Sequence, residues 1–121
     1  IYTLSLHDAL PILGLASLTV IVDVNGLQLD GPTAQILDTG SLAEKFRAFG
    51  FEAIEVDGHD VSALWSVLAP SHTRPRAVLA HTTKGKGLSF AENCVEWHDN
   101  KLTDELYARA VRELGREVGH V

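Results

Sequence analysis

The chain has 121 residues, with 16 acidic against 10 basic side chains, a formal net charge of −6 and a single cysteine. This length fits one domain, and a composition of 45% hydrophobic and 21% charged residues is typical of a globular α/β protein rather than a disordered or coiled-coil one. The acidic balance argues against nucleic-acid binding, which depends on clustered Lys and Arg, and one thiol cannot form an internal disulfide framework.

The first twelve residues, IYTLSLHDALPI, lack the pattern of a targeting segment. No basic region precedes the apolar run, and His7 and Asp8 interrupt it, so we expect neither a signal peptide nor a membrane span. Residues 2–12 are similar to the in-frame translation of a common short-read sequencing adapter. We therefore expect residues 1–12 to be a non-native, adapter-derived segment and residues 13–121 to be the native part of the chain.

Three strands are predicted in chain order. Residues 18–23 (LTVIVD) form a β-branched apolar run, as expected of a buried strand, residues 51–56 (FEAIEV) alternate between apolar and polar, and residues 76–81 (RAVLAH) are again apolar. Polar, turn-forming stretches follow the first and third of these segments: VNGLQLDGP and TTKGKG.

Helices are predicted between and after these strands. Ser41 and Glu44 have the spacing of a capping box, and Gly50 supplies the end of that helix, while Thr103 is the predicted cap of a last helix that stops near Gly115. In each predicted helix, apolar residues share one face. These are Leu42, Phe46 and Phe49 in the first helix and Val61, Leu64, Trp65 and Leu68 in the second. In the last helix we expect the shared face to be buried, and it consists of Leu106, Tyr107, Ala110, Val111 and Leu114.

The alternation of strands and helices predicts an α/β fold. Short connections between them favour right-handed crossovers and a parallel sheet, here an incomplete doubly wound sheet with helices on both faces. Ligands of open α/β sheets bind beyond the carboxyl ends of the strands, and both polar loops emerge there. These two loops are the candidate functional site.

The loop after the first strand offers oxygen ligands for a hard cation. It begins like a calcium-binding loop, but Leu27, Gln28 and Ala34 stand at positions where an EF-hand needs other residues, so an EF-hand is excluded. What remains is the amide oxygen of Asn25, with Gly26 allowing the backbone to fold back so that the carbonyl two residues later reaches the same ion. An ordinary Asn-Gly turn is the alternative.

The loop after the third strand can neutralise phosphate. TTKGKG is not a Walker loop, because Gly87 follows Lys86 where Ser or Thr is required, yet Lys84 and Lys86 beside glycines could approach phosphate oxygens. A solvated basic loop is the alternative interpretation. His98, in the polar segment CVEWHDN, could hydrogen-bond a phosphate or a substrate hydroxyl, whereas a zinc site is not expected because no paired Cys or His spacing is present.

Four segments, in this order and spacing, closely resemble the thiamine-diphosphate-binding domain of transketolases, most strongly the N-terminal subunit of split, two-chain forms. They are LTVIVDVNGLQLDGPT, LAEKFRAFGFEAIEVDGHD, AHTTKGKGLSF and ENCVEWH. The resemblance implies that Asn25 binds Mg²⁺ or Ca²⁺ and the cofactor diphosphate with its side chain, and that Leu27 binds the metal with its backbone carbonyl. It also implies that Lys84 and His98 approach thiamine diphosphate, with His98 additionally meeting the substrate as a catalytic residue.

The implied function is transfer of a two-carbon ketol unit from a ketose phosphate to an aldose phosphate, in the cytoplasm and the pentose phosphate pathway. Two departures stand out: Asp99 replaces the Gly that follows the family's His, and no G-D-G metal motif precedes the first strand. The catalytic Glu of the family belongs to a pyrimidine-binding domain or C-terminal subunit, the expected partner in a homo- or hetero-oligomer. We therefore expect a partial domain that is inactive alone.

Two alternatives remain open at this point. One is another thiamine-diphosphate enzyme, of the 1-deoxyxylulose-phosphate synthase or 2-oxoacid dehydrogenase type. The other is a non-catalytic module that keeps the same fold.

Overall fold

The computed structural model describes residues 15–117, which divide into two compact units. The first unit comprises residues 15–24 and Thr39–Thr82, and the second comprises Asn25–Asp38 and residues 83–117. The adapter-like segment at residues 1–12 lies outside the described residues. Between residues 15 and 117, no helix is both long and apolar enough to cross a membrane.

The elements follow one another as short strands and helices. In chain order they are β1 (Thr19–Val24), β2 (Leu27–Gln28), β3 (Gly31–Pro32), α1 (Thr33–Ile36), α2 (Leu42–Ala48), β4 (Glu52–Asp57), α3 (Val61–Leu68), β5 (Arg76–His81), a 3-10 helix (Val95–His98) and α4 (Asp104–Glu117).

The first unit is built on a three-stranded parallel sheet with the order β1-β5-β4. The register aligns the last residues of all three strands, so Val24, His81 and Asp57 lie side by side at the carboxyl edge. This arrangement confirms the predicted α/β class and parallel sheet. The predicted strand bounds differ from the observed ones by one residue in β1 and β4 and agree in β5. The expected burial of β1 is wrong on one face, because the described part of the chain leaves Thr19, Ile21 and Asp23 exposed.

The middle strand forms the core of this unit. Four consecutive apolar residues of β5 are buried, and Val78 has no exposed surface. A parallel strand that is covered on both faces needs a continuous apolar run, which RAVLAH provides. Helix α2 packs against β4 and β5, and α3 packs against β4.

Local capping defines helix α2 as the sequence predicts. The Ser41 hydroxyl accepts a hydrogen bond from the Glu44 N–H at 3.2 Å. At the other end, Gly50 has φ +88°, and the N–H of Phe51 donates to the carbonyl of Phe46 while that of Gly50 donates to that of Arg47. The Phe46 and Phe51 rings also contact each other, with centroids 5.3 Å apart, which completes a Schellman motif with its hydrophobic contact.

Burial of the predicted apolar face of α3 is incomplete. Val61 is 78% exposed and Trp65 is 72% exposed, whereas Ala63, Leu64 and Val67 are half-buried. The covered face is therefore rotated relative to the predicted one, and the two faces share only Leu64. Phe49 at the end of α2 is exposed in the same way.

A buried cation connects the start of β5 to the end of α3. Arg76 is 5% exposed and donates through Nη1 to the carbonyl oxygens of Val67, at 2.6 Å, and Pro70, at 3.1 Å. Its Nε and Nη2 atoms contact a carboxylate oxygen of Glu52 at 3.0 and 2.9 Å. The guanidinium thus satisfies carbonyl groups left over at a helix C-terminus and compensates its own burial.

The second unit contains the β2–β3 hairpin, α1, the 3-10 helix and α4. Helix α4 is capped by Thr103, whose hydroxyl accepts from the Leu106 N–H at 3.3 Å, as predicted. The predicted buried face of α4 is wrong at Tyr107, Val111 and Leu114, which are exposed. Of the other two residues of this face, Ala110 is buried and Leu106 is half-buried.

The last helix extends two residues past Gly115, near which its end is predicted. Helix α4 continues to Glu117, since a glycine inside a helix costs only about 1 kcal/mol and does not prevent its continuation.

Residues 83–94, which we call the Lys-Gly loop, fold on themselves. The Asn93 N–H donates to the Lys84 carbonyl at 2.9 Å and closes the loop. Gly85 has φ +71°, and a Cβ atom at this position would lie 2.4 Å from the carbonyl oxygen of Ala91. Both the backbone conformation and the close approach therefore require glycine.

We expect Arg76→Met to lower the free energy of unfolding by about 2 kcal/mol or more, because the Val67 and Pro70 carbonyls lose their donor. Arg74→Met is the matched control, since Arg74 is exposed in the same connection. Urea-induced unfolding measures both, and equal stability of the two variants would contradict the role of Arg76.

Gly85→Ala is expected to disrupt the Lys-Gly loop more than Gly26→Ala disrupts its own turn. Gly26 has nearly the same φ, +72°, but nothing lies within 4 Å of an added Cβ atom. Both variants carry the left-handed penalty of about 1–2 kcal/mol, and only Gly85→Ala adds the clash with Ala91. Hydrogen exchange of the Asn93 amide should accelerate in Gly85→Ala alone, and equal acceleration in both variants would argue against the clash.

Candidate functional site

Asn25 folds the chain back immediately after β1. Its Oδ1 atom accepts a hydrogen bond from the Leu27 N–H at 3.0 Å, and Gly26 between them has φ +72°. The Asn-Gly turn expected from the sequence is therefore present, and the same turn brings the Asn25 side chain to the start of β2.

The hairpin geometry orients the Leu27 carbonyl. Leu27 is opposite Pro32, which has no N–H, and the neighbouring Thr33 N–H donates to the Gly26 carbonyl at 2.9 Å. Leu27 and Pro32 therefore form a non-hydrogen-bonded pair, in which both the N–H and the C=O of Leu27 point away from β3. Because the Leu27 N–H meets Asn25 Oδ1 on that side, the Asn25 and Leu27 oxygens share the outer edge of β2.

Lys84 lies at the start of the Lys-Gly loop and is half-buried. Its backbone carbonyl is fixed by Asn93, and the following Gly85 packs against the backbone of Ala91. The backbone of Lys84 is therefore held at both its own carbonyl and the next residue. These contacts fix the point at which the Lys84 side chain leaves the loop.

Lys86 has a different environment from Lys84. Its Nζ atom lies 3.7 Å from Oε1 of Glu92, and the same oxygen accepts the Gly87 N–H at 3.1 Å. The carboxylate thus partly neutralises Lys86 within the loop. This contact agrees with a surface role for Lys86 rather than a phosphate-binding one.

His98 ends the 3-10 helix, and its side chain is exposed. The 3-10 helix contacts β2, the strand that carries Leu27. The next residue, Asp99, has φ −146°, outside the left-handed region that favours glycine, so the replacement of the family's Gly causes no left-handed backbone strain here.

The structure places Asn25, Leu27, Lys84 and His98 in one compact unit. The elements that carry Leu27 and His98, β2 and the 3-10 helix, contact each other, and Lys84 is linked through Asn93 to the segment that leads into that helix. Among residues 15–117, no group of three or more His, Cys, Asp or Glu side chains is arranged to hold a metal ion. Oxygen ligands in this unit would therefore include amide and backbone groups.

Sequence reasoning missed a cluster that joins α4 to the Lys-Gly loop. Glu113 accepts the Ser89 N–H at 2.8 Å and the Ser89 hydroxyl at 2.7 Å, and Arg109 Nε donates to Glu113 at 2.7 Å. The Arg109 guanidinium and the two donors of Ser89 lower the pKa of Glu113 to about 2, so the carboxylate is ionised at neutral pH. The only sequence signal was the i, i+4 spacing of Arg109 and Glu113.

The lone thiol is engaged locally. Cys94 Sγ donates to Oε2 of Glu96 at 3.0 Å, and this hydrogen bond raises the pKa of the thiol while it lowers that of the Glu96 carboxyl. The thiolate, which is the reactive form of cysteine, is thereby disfavoured.

Comparison with known proteins identifies the family of the chain. A family model described as transketolase, thiamine diphosphate binding domain, matches residues 5–120. The chain is 33% identical over 107 residues to one subunit of the apulose-4-phosphate transketolase of Phocaeicola vulgatus, covering 86% of this chain and 38% of that protein. It is 37% identical over 103 residues to the 6-deoxy-6-sulfo-D-fructose transketolase subunit SqwG of a Clostridium species, covering 83% and 38%.

A solved structure supports the fold. The transketolase of Campylobacter jejuni superimposes with a TM-score of 0.83 at 24% identity, covering 90% of this chain and 17% of that one. The chain spans 38% of the length of the two curated relatives. From the match of the family model to residues 5–120, the chain belongs to the family of transketolase thiamine diphosphate binding domains.

Proposed function

We propose that this chain binds the diphosphate end of thiamine diphosphate together with Mg²⁺ or Ca²⁺, as one wall of a transketolase-type active site. The observation that carries the proposal is the shared outer edge of β2, where Asn25 Oδ1 and the Leu27 carbonyl lie on the same side. These are the hard oxygen donors that both cations prefer.

Two protein oxygens form only part of a cation's coordination shell. Mg²⁺ is usually held by a few protein groups together with substrate phosphates and waters, so a diphosphate would complete the shell here. Lys84 adds a positive charge from the same unit, whereas Lys86 is already opposed by Glu92. Lys84 is therefore the cation of this loop that we assign to the diphosphate.

His98 is assigned to the reacting end of the site. It is exposed at the end of the 3-10 helix and belongs to a helix that contacts β2, the proposed metal-binding strand. An imidazole in this position can hydrogen-bond a sugar hydroxyl and act on it as a general acid or base. We propose that His98 holds the substrate hydroxyl next to the cofactor.

The complete reaction requires a second wall. When bound, thiamine diphosphate supplies the nucleophilic carbon and the electron sink for transferring a two-carbon ketol unit from a ketose phosphate to an aldose phosphate. This chain would provide the diphosphate and metal contacts, and a pyrimidine-binding domain or a separate C-terminal subunit would provide the rest. The two relatives described as transketolase subunits, which are named for different sugars, support an assembly of this kind.

The cofactor contact is tested by replacing Asn25. We expect Asn25→Ala to weaken binding of thiamine diphosphate with Mg²⁺ about tenfold or more in isothermal titration calorimetry, because it removes a metal ligand and the acceptor for the Leu27 N–H. Asn25→Asp keeps an oxygen for both partners and should retain binding.

Asn100→Ala is the matched control, since Asn100 Oδ1 also accepts a neighbouring backbone N–H, that of Lys101, at 2.8 Å. It should bind like the unaltered chain. Equal affinities of the Asn25→Ala and Asn100→Ala variants would remove Asn25 from the site, and absence of binding by the unaltered chain would overturn the proposed function.

The isolated chain is expected to catalyse no ketol transfer. It would supply contacts to the diphosphate but not the catalytic Glu that the family carries in its other domain. A coupled assay with ketose phosphate, aldose phosphate, thiamine diphosphate and Mg²⁺ should give the rate of a protein-free control. Turnover clearly above that rate would show that this chain holds a complete active site.

A further inference from the structure

One side chain of α4 contacts the Lys-Gly loop at two successive residues. Arg109 donates through Nη2 to the Ser89 hydroxyl at 2.5 Å, and its guanidinium carbon lies 5.3 Å from the centre of the Phe90 ring. In its third contact, the Nε atom of Arg109 donates to Oε1 of Glu113 at 2.7 Å. An exposed ion pair alone contributes little, but a planar guanidinium that meets a hydroxyl, a carboxylate and a ring has a single orientation.

The contact continues from Phe90 to the 3-10 helix. The Phe90 and Trp97 rings lie with their centroids 5.0 Å apart at an angle of 56°, a geometry in the attractive range for aromatic pairs. Trp97 is half-buried and directly precedes His98. A path of packed side chains therefore runs from Arg109 through Phe90 to Trp97, and the backbone connects Trp97 to His98.

Helix α4 also holds the Lys-Gly loop through Glu113. Ser89 is held by Glu113 through both its N–H and its hydroxyl, so the middle of the Lys-Gly loop is attached to α4. Lys84 lies in this loop, whose ends are joined by the bond from the Asn93 N–H to the Lys84 carbonyl. Lys84 therefore belongs to a loop that α4 holds, and Trp97, the residue before His98, packs against Phe90 of the same loop.

We propose that Arg109 is a positioning residue, which orients His98 through Phe90 and Trp97 and holds the Lys-Gly loop that carries Lys84. The inference rests on the proposed function for the role of these two residues, but the coupling itself is a property of the unliganded chain. Arg109 touches neither cofactor nor substrate, and it acts through the residues that do.

The coupling is tested by the fluorescence of Trp97. The chain has two tryptophans, so Trp65→Phe leaves Trp97 as the only reporter. In this background we expect Arg109→Gln to increase iodide quenching of Trp97 and to shift its emission to longer wavelength, because Phe90 loses the cation that holds it. Arg109→Lys keeps the charge without the planar donors and should give a smaller change in the same direction.

Arg112 provides the matched control on the same helix, where its side chain is exposed. Arg112→Gln and Arg112→Lys should leave Trp97 unchanged. A quenching change that is equal in the Arg109 and Arg112 variants would overturn the inference.

Calorimetry with thiamine diphosphate and Mg²⁺ gives the second readout. Arg109→Gln should bind roughly tenfold more weakly, and Arg112→Gln should bind like the unaltered chain. Arg76→Met serves as a stability control, because Arg76 lies in the first unit and its loss lowers stability without altering the anchor on the Lys-Gly loop. If Arg76→Met weakened binding as much as Arg109→Gln, the effect of Arg109 would be one of stability and the inference would fail.

The two readouts separate this inference from the proposed function. If the unaltered chain bound no thiamine diphosphate, a quenching change specific to Arg109→Gln would still support the coupling while the proposed function failed. If the chain bound the cofactor and Arg109→Gln changed neither Trp97 nor affinity, the proposed function would stand and Arg109 would have no positioning role.

Discussion

The pairing of β5 with a parallel strand on each side is the constraint on which the first unit depends. Its four buried apolar residues supply the core, and its register fixes where the chain leaves the sheet after Val24 and after His81. Arg76 secures the other end of the same strand by occupying the carbonyl groups at the end of α3. Strand β5 therefore supplies the core of the first unit and also fixes the sheet edge from which the polar loops start.

Features that depend on local chemistry could be predicted from the sequence. The Ser41 cap, the Gly50 stop, the Thr103 cap and all three sheet strands are confirmed, because side-chain caps and continuous apolar runs act over a few residues. The exposed faces of α3 and α4 could not be predicted, because apolar spacing shows that a helix has a stripe without showing which surface it meets.

The candidate site also has a part that the sequence predicts and a part that it does not. The turn at Asn25 follows from an Asn-Gly pair, and the polar loops indicated the carbonyl of Leu27, Lys84 and His98 as candidates. The family resemblance supplied the roles of these three residues toward metal, cofactor and substrate. The anchoring of the Lys-Gly loop by Arg109 and Glu113 was not predictable, because Ser89 and Glu113 are distant in sequence and meet only when α4 lies beside the loop. Tertiary contacts of this kind leave no periodic signal, and an i, i+4 pair of opposite charges usually indicates no more than a solvated helix face.

The strand order β1-β5-β4 has a consequence for biosynthesis. The middle strand of the sheet is the last of the three to be made, so β1 and β4 have no partner in this sheet until residue 81 has left the ribosome. Helices with local caps can form before that point, whereas pairing between segments far apart in sequence is slow. The nascent chain therefore carries β1 without its β5 partner from residue 24 onward, and both β1 and β4 without it between residues 57 and 81. Unpaired strands at this stage expose apolar segments that favour aggregation.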